Sequence, residues 1–136
     1  MRIALISFCP ANDNKSKRIA ENLVNSAQRQ GHQAELISGL QDMEYMKITI
    51  YDYITVLIKP AGLFGGTVPP RVSEFFSSSG SVAGKKGAAL VIKSGFSTEK
   101  TCRNLMRVME KEGVKLDYFE VIKDADHAAY VGKKLG

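Results

Sequence analysis

The sequence predicts a doubly wound α/β fold, a five-stranded parallel sheet in the order 2-1-3-4-5 with helices on both faces. Short strand-like apolar runs alternate with amphipathic helical patterns along the chain. The run Ile54 to Ile58 is β-branched, too short for a helix, and bounded by the breakers Pro60, Gly62, Gly65 and Gly66. Pro69-Pro70 then opens a new helix, so a glycine-rich excursion joins a strand's C-end to a helix, which is where open α/β sheets hold ligands.

Each element follows from its local pattern. The opening MRIALISFC has one positive charge, a short apolar run and no small-residue cleavage pattern, so Arg2 to Ser7 reads as a first strand and not as a signal peptide. From Asn14 to Arg29, Ile19, Leu23, Val24 and Ala27 share one helix face, and Gly31 supplies a left-handed cap. Gln33 to Ser38 is the second strand. Gln41 to Thr49 admits a short helix with either Met43 and Met46 or Met46 and Ile50 facing inward. Ile54 to Lys59 is the third strand, followed by a helix with Val72, Phe75 and Phe76 on its apolar side and a polar loop, Ser77 to Ser81. Ala88 to Lys93 is the fourth strand. Thr98 to Glu112 is a helix with Cys102, Leu105, Met106 and Met109 on one face, closed by Gly113. Asp117 to Ile122 is the fifth strand, and Asp124 caps a last helix, Ala125 to Leu135.

With 136 residues, 44% of them hydrophobic, the chain is expected to form one domain, 1-136, around one core. Cys9 and Cys102 fit neither a disulfide framework nor a zinc site, and there is no CxxC; each reads as a small apolar filler. No membrane-spanning segment or lipid anchor is visible, so a reducing cytoplasm is the expected location. The net charge of +5 is scattered over Lys15, Lys17, Arg18, Lys85, Lys86, Lys111, Lys115, Lys133 and Lys134 without interleaved aromatics, which argues against nucleic acid. Such a field favours anionic ligands or an acidic redox partner.

In the order 2-1-3-4-5 the connections after the first and third strands leave the sheet in opposite directions, opening a crevice at their C-ends. Three loops converge there: Ser7 to Ser16, Lys59 to Val68, and Ser94 to Thr98.

Tyr51-Asp52-Tyr53-Ile54, the run Lys59-Pro60-Ala61-Gly62-Leu63-Phe64-Gly65-Gly66-Thr67-Val68-Pro69-Pro70, and Gly84-Lys85-Lys86-Gly87-Ala88 before the fourth strand occur in the order found in one family. On these motifs the chain resembles short-chain flavodoxins over essentially its whole length. The resemblance implies noncovalent FMN and electron transfer. It implies that the first loop cradles the phosphate, with Ser7, Asn12, Asn14, Lys15 and Ser16 as donors; a helix N-terminus favours an anion there. It places the flavin ring against Pro60, Ala61, Gly62, Leu63, Phe64 and Gly65, with Ser94, Gly95 and Phe96 at its other edge. Leu63 or Phe64 would cover one ring face, or Phe64 tucks into the core beside Val68. Gly62 or Gly65 would permit a peptide flip, and Phe96 is a second stacking residue.

The first loop departs from the family pattern: it has no glycine, one proline and an acid. Asp13 pointing inward would repel a phosphate dianion, whereas as an N-cap it competes for the same N–H groups. Ser97 or Thr98 is expected to cap the helix that follows. His32 and His127 read as surface histidines, and Cys9, near a helix N-terminus, admits a stabilised thiolate with a redox or adduct role. Without an acid, base or metal set, chemistry would come from a cofactor. The expectation is therefore a flavin electron carrier, monomer or homodimer, that meets a redox partner protein and binds neither nucleic acid nor membrane. The alternatives are a binding or interaction module that has lost FMN, or a small NAD(P)H-dependent FMN or quinone reductase.

Overall fold

The apolar runs fold as β1 (Arg2–Ser7), β2 (Gln33–Ser38), β3 (Tyr53–Ile58), β4 (Lys86–Ile92) and β5 (Lys115–Ile122), joined through α1 (Asn14–Arg29), α2 (Arg71–Ser78) and α3 (Thr98–Lys111), with α4 (Ala125–Gly132) after the last strand. The computed structural model describes residues 1–41, 47–60 and 66–136. All strand pairs are parallel and the order is β2-β1-β3-β4-β5, as the alternation predicts. Met43 and Met46, read as inward-facing residues of a short helix, lie outside the described residues. Next to them only Ile48–Ile50 forms a 3-10 turn, in which Ile48 is buried and Ile50 is exposed, contrary to the inward position read for it.

A parallel sheet is stable only when both faces are covered, because every crossover lays a helix on one of them. Alternate residues along each strand accordingly enter two cores, one on each face of the sheet, where the composition led to an expectation of one. Ile3, Leu5, Tyr53, Leu57, Leu90 and Ile92 pack with Ile19, Leu23 and Ala27 of α1 and with Ala128 and Val131 of α4. Ala4, Ile6, Ile54, Val56, Ile58 and Val91 pack with Val72, Phe75 and Phe76 of α2 and with Cys102, Leu105 and Met109 of α3. Gly132 lets α4 close on α1, since a Cβ there would stand 2.6 Å from the Leu23 carbonyl oxygen.

The helix ends follow the expected chemistry. After α1, Gly31 has φ +93°; its N–H donates to Gln28 O at 3.0 Å and that of His32 to Ala27 O at 3.3 Å, the paired bonds of a Schellman stop. Gly113 ends α3 the same way, with Gly113 N–H on Glu110 O and Val114 N–H on Met109 O. Asp124 caps α4 by accepting from the His127 N–H at 2.8 Å. β3 begins one residue earlier than its apolar run, and β4 and β5 two, because Tyr53, Lys86 and Lys115 extend the ladder with side chains that an apolar pattern does not count. α4 stops at Gly132, and Leu135 is buried from a turn.

Two buried positions generate stability predictions. Phe75 is fully buried and meets Phe8 and Phe76 edge-on, each with ring centroids 5.7 Å apart. Phe75→Ala is expected to cost about 3–5 kcal/mol in urea unfolding. Thr55 is fully buried in β3, and its hydroxyl has no hydrogen-bond partner among the described residues. Because an unsatisfied buried hydroxyl costs about 1–3 kcal/mol, Thr55→Val is expected to raise stability, an outcome read by the urea midpoint at unchanged slope.

Candidate functional site

The crevice is set by the reversal between β1 and β3. α1 leaves β1 toward one core and α2 leaves β3 toward the other, so the connections leaving the C-ends of these two paired strands diverge. The first loop starts as an extension of the sheet, with Phe8 N–H donating to Leu57 O at 3.0 Å. The Phe8 ring is buried over Gly39, where a Cβ would stand 2.4 Å from it. The chain then turns at Pro10, whose carbonyl accepts the Asp13 N–H at 3.1 Å.

Asp13 is the N-cap of α1. One carboxylate oxygen accepts the Ser16 N–H at 3.3 Å; the other accepts the Ser16 hydroxyl at 2.7 Å and the Lys59 ammonium at 3.1 Å. These bonds, the Ser16 hydroxyl first, then the Ser16 N–H and Lys59, hold the Asp13 carboxyl down at about 2 against an ordinary 3.8. Lys59, the residue directly after β3, thus links the first loop to the third strand. The sequence marks it only as a polar residue at a strand's C-end, and the pairing spans too much chain to be seen by local spacing.

The residues expected around a phosphate divide accordingly. Ser16 is 2% exposed and its hydroxyl proton is directed to Asp13. The Ser7 hydroxyl accepts the Cys9 N–H at 3.4 Å. Asn12, Asn14 and Lys15 are exposed around the start of α1. A phosphate monoester placed on the Ser16 N–H would meet an ionised carboxylate already bound there, so the first loop as folded does not fit that group.

The Cys9 thiol is 8% exposed, and burial raises its pKa over the lowering effects of the Ser16 and Ser7 hydroxyls and Lys59. The stabilised thiolate read from its place near a helix start is therefore not what the fold produces. Among the described residues no cluster of His, Cys, Asp or Glu is arranged to hold a metal ion. His32 sits near the chain termini, with Nδ1 3.5 Å from the Met1 amino group, and the His127 ring accepts the Lys123 N–H at the start of α4.

The fourth-strand loop is shaped by Thr98. Its hydroxyl donates to the Ser94 carbonyl at 2.8 Å and accepts the Ser94 N–H at 3.0 Å, closing the loop on itself. Ser97 holds the N-cap position of α3 without a side-chain capping bond, so neither residue caps the helix in the manner expected. Gly95 takes φ +65°, and Phe96 beside it is 84% exposed. Pro60 is half-buried at the end of β3. Ala61, Gly62, Leu63, Phe64 and Gly65 lie outside the described residues; just after them, Gly66 is fixed by the Asn104 amide, which donates to its carbonyl at 2.6 Å.

Two grooves flank the crevice among the described residues. A groove of about 790 Å³ runs between α3 and β5, past Gly95, Phe96, Cys102, Met106 and Phe119, and includes no residue of the first loop. Another, of about 310 Å³, lies between the first loop and β2, lined by Ser7, Cys9, Pro10, Ala11, Leu36 and Ser38. The larger groove is not the crevice between β1 and β3. Among the described residues no helix is long and apolar enough to cross a membrane.

The Asp13 contacts make the start of α1 pH-dependent. Its folded pKa lies below the unfolded value, so the stabilisation is complete above about pH 4 and is lost as pH falls toward 2. Asp13→Ala is expected to cost about 0.5–2 kcal/mol at neutral pH. In urea titrations across pH, the gap between wild type and this variant is expected to shrink through that acidic window.

No protein-family model and no curated protein matches the sequence. Solved structures do resemble the fold. The chain is similar to the flavodoxin of Streptococcus pneumoniae TIGR4 at 14% identity and a TM-score of 0.72, over 98% of this chain and 97% of that one. Oxidised flavodoxin 1 from Bacillus cereus matches at 15% identity and a TM-score of 0.69, over 97% and 95%. Two-electron reduced Megasphaera elsdenii flavodoxin matches at 14% identity and a TM-score of 0.67, over 96% and 98%. With near-complete coverage in both directions at these TM-scores, and five parallel strands in the order β2-β1-β3-β4-β5, the chain has the flavodoxin fold.

Proposed function

We propose that this protein binds a flavin noncovalently at the C-terminal ends of β1, β3 and β4 and works as an electron carrier, the bound flavin supplying the redox chemistry. The observation that carries this reading is the crevice at the strand-order reversal in a flavodoxin fold; the exposed Phe96, beside a left-handed Gly95 in the loop after β4, is the stacking residue of this reading. Phe96 offers a stacking face without a hydroxyl, and Gly95 allows close approach of backbone. The net charge of +5 favours a redox partner whose docking surface is acidic.

A second reading, a flavodoxin-fold interaction module without flavin, is favoured by one observation, the Asp13 carboxylate at the start of α1. Titration of the purified apo protein with riboflavin and with FMN, followed by flavin fluorescence and visible absorbance, separates the two. The flavin reading expects saturable binding of at least riboflavin, weakened by about 1–3 kcal/mol in Phe96→Ala. Binding of neither flavin, or an unchanged affinity in Phe96→Ala, counts against the site.

A further inference from the structure

We infer that Asp13 denies the first loop to a phosphate monoester, so that this chain selects a flavin by its ring system and does not distinguish FMN from riboflavin. The part concerning flavin choice rests on the flavin reading above; the part concerning phosphate does not. Three donors from two elements, the Ser16 N–H, the Ser16 hydroxyl and the Lys59 ammonium, converge on the one Asp13 carboxylate, at 3.3, 2.7 and 3.1 Å. That set satisfies a carboxylate in the way a phosphate oxygen would be satisfied, and the chain supplies the anion itself.

An incoming phosphate has two options, and neither is favourable. Displacing Asp13 exchanges one anion for another on the same donors and leaves an expelled carboxylate beside a dianion, so the donors give little net affinity. Binding beside Asp13 leaves the phosphate with Asn14, Lys15 and Lys17, which are exposed, where salt screens the attraction. The remaining hydroxyl, Ser7, accepts the Cys9 N–H and keeps one proton to give, a single neutral donor against the charge of Asp13, and Pro10 has no N–H to offer. A riboflavin ligand, lacking the phosphate, avoids this conflict, and FMN is accommodated with its phosphate in solvent.

Two measurements test this, one without flavin. In flavin titrations, wild-type affinities for FMN and riboflavin are expected within about threefold of each other, whereas Asp13→Gly, which keeps a tolerated cap residue, is expected to favour FMN by about tenfold, a change of about 1.4 kcal/mol. Wild-type protein that binds FMN at least about tenfold tighter than riboflavin, or an Asp13→Gly variant with an unchanged FMN-to-riboflavin ratio, overturns the inference. In the second measurement, inorganic phosphate is titrated while the Ser16 amide resonance is followed by NMR. An amide that stays in place in wild type and moves saturably in Asp13→Gly supports the inference, and a saturable shift in wild type overturns it. If neither flavin binds either protein, the flavin reading fails while the phosphate titration still decides the role of Asp13.

Discussion

Parallel strands cannot be joined by tight turns, so each neighbouring pair needs a crossover, and the right-handedness of crossovers fixes the face on which each helix lands. In this chain β1 lies between β2 and β3, so the crossovers from β1 and from β3 travel in opposite directions along the sheet. α1 and α2 then cover opposite faces, and the loops that leave the two strand ends part between them. The two cores and the meeting of the first loop with Lys59 follow from that one reversal.

Where these loops part, the chain meets the usual problem of a helix start: N–H groups with no carbonyl of their own helix to bind. Asp13 satisfies the Ser16 N–H from within and recruits Lys59 from the next strand, so a local cap becomes a tie between loops. Thr98 plays a comparable part on the other side by closing the fourth-strand loop on Ser94. Both loops are thus held by their own side chains. The fold brings the first loop against the C-end of β3 through Asp13 and Lys59, and the anion held at the start of α1 is a residue of the chain itself.

Much of this was legible from periodicity and local chemistry. The bounds of α1, the glycine stops at Gly31 and Gly113, the Asp124 cap and the sheet order rest on short-range patterns and on crossover geometry, which a sequence displays directly. The extra residues at the starts of β4 and β5 were not legible, because Lys86 and Lys115 join the ladder through their backbones. The role of Lys59 depends on two segments 46 residues apart, which only the fold juxtaposes. Cys9 was legible as a small apolar filler, and the alternative drawn from its place near a helix start, a stabilised thiolate, gives way to its burial, a tertiary property with the larger effect. Asp13 was legible as a cap or a competitor, and the choice between those roles and an inward-pointing charge required the geometry of Ser16 and Lys59.

The central claim is that the carboxylate of Asp13 stands where a ligand phosphate would otherwise be held. Its most direct test is the NMR titration of the Asp13 side-chain carboxyl carbon in the free protein and again with saturating FMN. A midpoint of about 2 that persists when FMN is added is the predicted result. A midpoint near the ordinary 3.8 in the free protein would show that Asp13 does not hold the Ser16 and Lys59 donors, and one that rises toward 3.8 once FMN is present would show that the phosphate takes them; either would contradict the account.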